Sequence, residues 1–86
     1  MKKMRRWILL ELNKIYRWNI RTPYPISTDS DHDAFKDTLN QFDTFLVLDY
    51  ANFDYYGVYK ILHKGTNLRY LVIDSDSFLK YFTKIN

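Results

Sequence analysis

"KMRRWILLELNKIYRW", residues 3–18, decides the architecture expected of this chain of 86 residues. Laid out at about 100° per residue, Met4, Trp7, Ile8, Leu12, Ile15, Tyr16 and Trp18 share one broad arc, while Lys3, Arg6, Asn13, Lys14 and Arg17 take the other side with Leu10. That period predicts a basic amphipathic helix over residues 1–18. Glu11 falls inside the apolar arc, where a carboxylate needs a partner if it is buried. "MKKMRR" before "WILL" has the order of a signal peptide, but Glu11 ends the apolar run and no small-residue cleavage site follows, so secretion is not expected.

Beyond this stretch, "RTPYPIST" carries two prolines that push Thr22 and Tyr24 toward extended conformations, so residues 19–30 read as a stiff connector. Phe35, Leu39 and Phe42 recur at helical spacing and predict a second helix over 31–42. "DTFLVLDY", "YYGVYKILH" and "LRYLVID" are rich in β-branched and aromatic residues and are joined by the short connections "ANFD" and "KGTN". They predict a three-stranded antiparallel meander over 43–74. Phe78, Leu79, Phe82 and Ile85 share a helical face and predict a C-terminal helix over 75–86.

The expected fold is therefore one α+β domain, residues 1–86, in the order α-α-β-β-β-α, with the meander packed by helices. With hairpin turns about residues 52–53 and 65–66, Leu46, Leu48, Tyr50, Tyr55, Tyr59, Ile61, Tyr70 and Val72 would line one sheet face. Phe45, Val47, Val58, Leu62, Leu71 and Ile73 would line the other, together with Asp49, Lys60 and Arg69. A monomer must cover both faces with three short helices or leave apolar area for a partner, and self-association, as in a homodimer, is the expectation.

Two glycines and two prolines make no case for disorder, and the absence of cysteine excludes disulfides and thiolate metal sites and fits an intracellular, cytoplasmic location. No apolar run is long enough for a transmembrane segment. The net charge of +3 conceals segregation: residues 1–22 carry seven basic residues against Glu11, residues 23–56 carry seven aspartates against Lys36, and the remainder is basic again. Such asymmetry speaks to partners rather than to fold.

The aspartates of "STDSDHDAF", residues 27–35, alternate as calcium loops begin. The EF-hand pattern needs glycine at its sixth position and glutamate at its twelfth, and counting from Asp29 those positions hold Ala34 and Asn40. "IDSDSF", residues 73–78, repeats the Asp-Ser-Asp motif before another predicted helix, so helix capping is the expected role of both copies and no metal is expected. No nucleophile motif, glycine-rich phosphate loop or nuclease carboxylate–lysine pattern appears, so no catalytic residue and no cofactor is expected. His32 and His63 stand in different elements and read as lone surface histidines, with a His–Asp pairing left open. "DYYGVYKI", residues 54–61, resembles the aromatic strand of RNA-recognition modules only in part, since Asp54 and Tyr55 replace its basic start and first glycine; Tyr55, Tyr59 and Tyr70 read as core or rim aromatics.

A small non-enzymatic binding protein is what these features support. Its first expected partner is nucleic acid, met by Lys3, Arg6, Lys14, Arg17 and Arg21 on the basic helix. The alternative is a phage- or virus-type accessory inhibitor or adaptor that binds a host protein through the acidic surface of Asp29, Asp31, Asp33 and Asp37, or through an exposed sheet face. Richness in Lys, Asn, Ile, Tyr and Phe suits the AT-rich genome of such a source.

Overall fold

The computed structural model describes residues 10–86. Lys3, Arg6 and the first part of the helix expected over 1–18 lie outside them. The rest of that stretch is turn and strand. Asn13 takes a positive φ of 63°, which an amide side chain tolerates better than most and which turns the chain out of any helix. Strand β1, Ile15–Trp18, then buries Tyr16 and Trp18 while Ile15 and Arg17 face away. Period two has replaced period 3.6, because a short run of β-branched and aromatic residues satisfies either and the pairing partners decide.

The helix expected over 31–42 is also absent. Strands β2, Tyr24–Ile26, and β3, Asp37–Leu39, pair antiparallel as a ribbon, with Tyr24 opposite Leu39 and Ile26 opposite Asp37. Of the three residues that suggested a helix, Leu39 is buried while Phe35 and Phe42 are exposed. His32 at φ 64° and Phe42 at φ 73° bend the chain on either side of β3.

Strands β4, Thr44–Asn52, β5, Gly57–His63, and β6, Asn67–Ile73, form the expected antiparallel ladders, but as part of a larger sheet. The expected C-terminal helix is a six-residue 3-10 turn, Asp76–Tyr81, followed by strand β7, Phe82–Lys84. β7 pairs with β1, and β1 with β4, giving a five-stranded sheet in the order β6-β5-β4-β1-β7. The α+β assignment is thus corrected to a small β-sheet domain. The ribbon meets the sheet at β6, where Ser27 N–H donates to the Tyr70 carbonyl at 2.8 Å and Tyr70 N–H returns the bond at 2.9 Å.

The sheet faces also differ from expectation. Asn52 pairs with Gly57 across a four-residue turn, and His63 with Asn67 across a three-residue turn. A bulge between Val47 and Asp49 shifts the register within β4. Phe45 and Val47 point inward before it, and beyond it Tyr50 pairs with inward-facing Tyr59 while Asp49 pairs with Lys60. One extra residue has moved a carboxylate out of the core and an aromatic toward it. The core gathers Trp18, Ile26, Leu39, Phe45, Val47, Tyr59, Ile61, Leu71, Ile73 and Phe82. On the opposite face, Ile15, Leu46, Leu62 and Leu68 lie side by side across β1, β4, β5 and β6 as a partly exposed aliphatic row.

Gly57 is set by sterics. A Cβ there would meet the Tyr50 Cε1 and Oη atoms at 2.7 Å. The Tyr50 ring lies over this backbone and against Tyr59, with ring centroids 4.6 Å apart.

Candidate functional site

The connector "RTPYPIST" leads into an open concavity among the described residues. Trp18 ends β1 buried, and its indole N–H donates to the Thr22 carbonyl at 2.9 Å, closing the chain around residues 18–22. The two prolines then hold Tyr24 extended at the start of β2, where its ring stacks on Trp18 with centroids 5.1 Å apart. The Tyr24 hydroxyl donates to the Val72 carbonyl at 2.8 Å, tying the ribbon to the end of β6. From the 3-10 turn, Phe78 packs on Tyr24 at 5.4 Å and Tyr81 meets Trp18 edge-on at 6.0 Å. Between ribbon and turn lies an open cleft of about 570 Å³, lined by Trp18, Tyr24, Phe35, Phe78 and Tyr81, with Ile20, Val72 and the prolines between them.

Asp74 is the one charged side chain in that lining. It is exposed and forms no ion pair among the described residues. Burial, reinforced by the Asp74 charge, pushes the Tyr24 phenol well above its ordinary pKa, so Tyr24 stays a neutral donor. A concave, mostly aromatic surface with one carboxylate has the general makeup of a ligand pocket.

A second constellation is internal. His63, at the end of β5, is fully buried, with Nδ1 3.3 Å from Asp37 and Nε2 3.1 Å from the Asp43 carboxylate. Arg69 Nε donates to Asp37 at 2.7 Å, and Asn40 N–H donates to Asp43 at 2.9 Å. Burial acts to raise the Asp37 pKa, but bonds from Arg69, the Thr38 N–H and His63 outweigh it and hold the carboxyl below its ordinary value. This bridge anchors the ribbon to β5 and β6. The surface position expected of His63 is thus corrected to a buried one, and the His–Asp pairing left open by the sequence is realised twice, as a structural clamp.

The residues singled out in the sequence separate accordingly. Asp37 is engaged by the clamp rather than displayed with Asp29, Asp31 and Asp33. Those three are exposed on the ribbon loop, with carboxylate oxygens within 4.8 Å of one another. They precede no helix, which corrects the capping role: Asp29 instead closes a turn, its carbonyl accepting from His32 N–H at 2.9 Å. Three such oxygens are about half of the six to eight that calcium takes. The basic stripe loses its helix. Arg17, in β1, donates to Asn19 at 2.9 Å and lies 5.8 Å over the Phe42 ring, whereas Arg21 is exposed. Lys14 precedes β1 and is half-buried.

Tyr59 is a core residue, Tyr70 packs beside His32 at 5.6 Å, and Tyr55 projects from the 53–56 turn, 87% exposed. The cleft itself was missed by sequence reasoning. Its signal was a tyrosine held between two prolines, read only as a connector. Among the described residues no helix is long and apolar enough to cross a membrane. Neither family models nor curated proteins nor solved structures match this chain.

Proposed function

We propose that the protein is a small non-enzymatic binding module that seats an extended segment of a partner protein in the cleft between the ribbon and the 3-10 turn. The observation that carries this reading is the cleft: partly exposed rings of Tyr24, Phe35, Phe78 and Tyr81 around about 570 Å³ of open space. Charge indicates the partner's sign. Residues 10–86 hold nine Lys and Arg against ten Asp and Glu, so the net positive charge of the chain resides in residues 1–9. With Asp74 in the cleft and Asp29, Asp31 and Asp33 exposed on the ribbon, the complementary segment is basic. An accessory inhibitor or adaptor would use such a surface. The acidic surface proposed from the sequence thereby loses Asp37 and gains Asp74.

Selection from a displayed library of random dodecapeptides tests the proposal. Enrichment of basic sequences whose binding is lost in Phe35→Ser, with the fold intact, is the expected result. Failure to enrich any sequence, or binding indifferent to Phe35→Ser, refutes it.

One observation favours nucleic acid as a second reading. Lys2, Lys3, Arg5 and Arg6 are crowded into residues 1–9 with no acidic residue among them, and exposed Arg21 adds to the same sign. Lys3, Arg6, Lys14, Arg17 and Arg21 would then serve as phosphate contacts. A salt-dependent shift of labelled DNA or RNA that vanishes in Lys3→Glu with Arg6→Glu would support it. No shift at low salt rejects it.

A further inference from the structure

Resting on the cleft-binding reading, we propose that the cleft is a subsite for one long cationic side chain of the partner, lysine or arginine. Its aliphatic stem lies along Tyr24, Phe35 and Phe78, and its charge ends at Asp74. This makes Asp74 the specificity-determining residue of the site.

Position singles out that carboxylate, because Asp29, Asp31, Asp33, Asp49 and Asp54 also lack an ion pair among the described residues but line no part of the cleft. Asp37 and Asp43 are engaged by His63, with Arg69 also on Asp37, and Glu11 is paired with Lys84 at 3.1 Å. Asp74 lines an aromatic concavity and has no such cation among the described residues. Tyr24 does not occupy it either, because the Tyr24 hydroxyl donates to the Val72 carbonyl. Asp74 is thus an exposed carboxylate in the cleft lining with no cation paired to it among the described residues.

The walls select for the same chemistry. Aromatic faces attract ammonium and guanidinium groups, and they also cover the methylene stem that carries the charge. The molecule makes this contact itself at the rim, where Lys80 Nζ lies 5.4 Å from the Tyr81 ring centroid. A neutral apolar ligand would bury part of the Asp74 carboxylate without a partner, and an anionic one would meet its charge. A cation with an apolar stem avoids both costs.

The test uses the full chain labelled with nitrogen-15 and two probes of matched shape, Nα-acetyl-lysine methylamide and Nα-acetyl-norleucine methylamide. The Trp18 indole N–H and the Val72 and Asp74 amides report binding, and Trp7→Phe assigns the indole signals. The lysine probe should bind about five-fold more tightly than the norleucine probe, the scale of one solvent-screened charge contact with a cation–π contribution. Asp74→Asn should abolish that difference by weakening the lysine probe, and Asp74→Glu should restore most of it. Equal binding of the two probes, or a lysine preference that survives Asp74→Asn, overturns the cationic subsite and leaves the cleft-binding reading standing. No shift at these reporters with either probe overturns both.

Discussion

At the residue scale, two backbone positions govern how well the long strands are joined. Lys64 holds a φ of 58° immediately before Gly65 at 83°, so two successive residues of this turn need the left-handed region. Lysine has no local side-chain bond to compensate for that conformation, whereas asparagine enters it readily. Lys64→Asn should therefore raise stability by up to about 1 kcal/mol, read as a higher denaturant midpoint with an unchanged slope. No gain would mean that another conformation of the turn prevails in solution. Gly57 answers to space instead. Gly57→Ala drives a Cβ into the Tyr50 ring, and overpacking of this kind costs about 1–3 kcal/mol. Gly57→Ala combined with Tyr50→Ala should lose much less than the separate costs added together, because the clash disappears with the ring.

At the scale of elements, the ribbon β2–β3 is held by three devices: the Ser27–Tyr70 backbone pair, the Tyr24–Val72 bond and the clamp around His63. Replacing His63 by leucine leaves Asp37 and Asp43 without its ring nitrogens and should cost about 2 kcal/mol, read by equilibrium unfolding. Asp37 adds a pH signature. Its folded pKa is depressed, so its contribution is fully present above the ordinary carboxyl value of about 4 and is lost as pH falls below that value through the folded one. The stability gap between the wild type and Asp37→Asn should consequently close on acidification below about pH 4. A gap independent of pH would contradict the clamp.

The same elements show what could be read from sequence. Strands β4, β5 and β6 were readable because aromatic and β-branched runs there are bounded by short turns. Their register was not, since nothing in "LVLDY" marks the bulge that brings Tyr50 opposite Tyr59. Residues 15–18 failed differently: Ile15, Tyr16 and Trp18 fit a helical arc as well as an alternating strand, and long-range pairing with β4 and β7 chose the strand. The 31–42 segment misled because Phe35, Leu39 and Phe42 imitate a helical face, although only Leu39 enters the core. Of the candidate site, the acidic ribbon loop was visible in composition. The cleft was not, because it joins residues 18–25 and Phe35 to residues 72–81, which only the tertiary fold brings together.

For the molecule as a whole, the segregation of charge acquires a structural meaning. The described β-sheet domain, residues 10–86, is slightly acidic, and the basic surplus lies in the first nine residues. A partner segment drawn to the cleft should therefore bind less tightly as salt rises, and the nucleic-acid reading predicts the same trend from the opposite end of the chain. Salt alone does not separate them; location does. The direct measurement is a map of amide and indole shifts on the full chain when a library-selected basic peptide is added. The cleft account predicts the largest shifts at Trp18, Tyr24, Val72, Asp74, Phe78 and Tyr81, with the outer row of Ile15, Leu46 and Leu62 unmoved. Shifts concentrated on residues 1–9 or on that outer row, with the cleft silent, would contradict it.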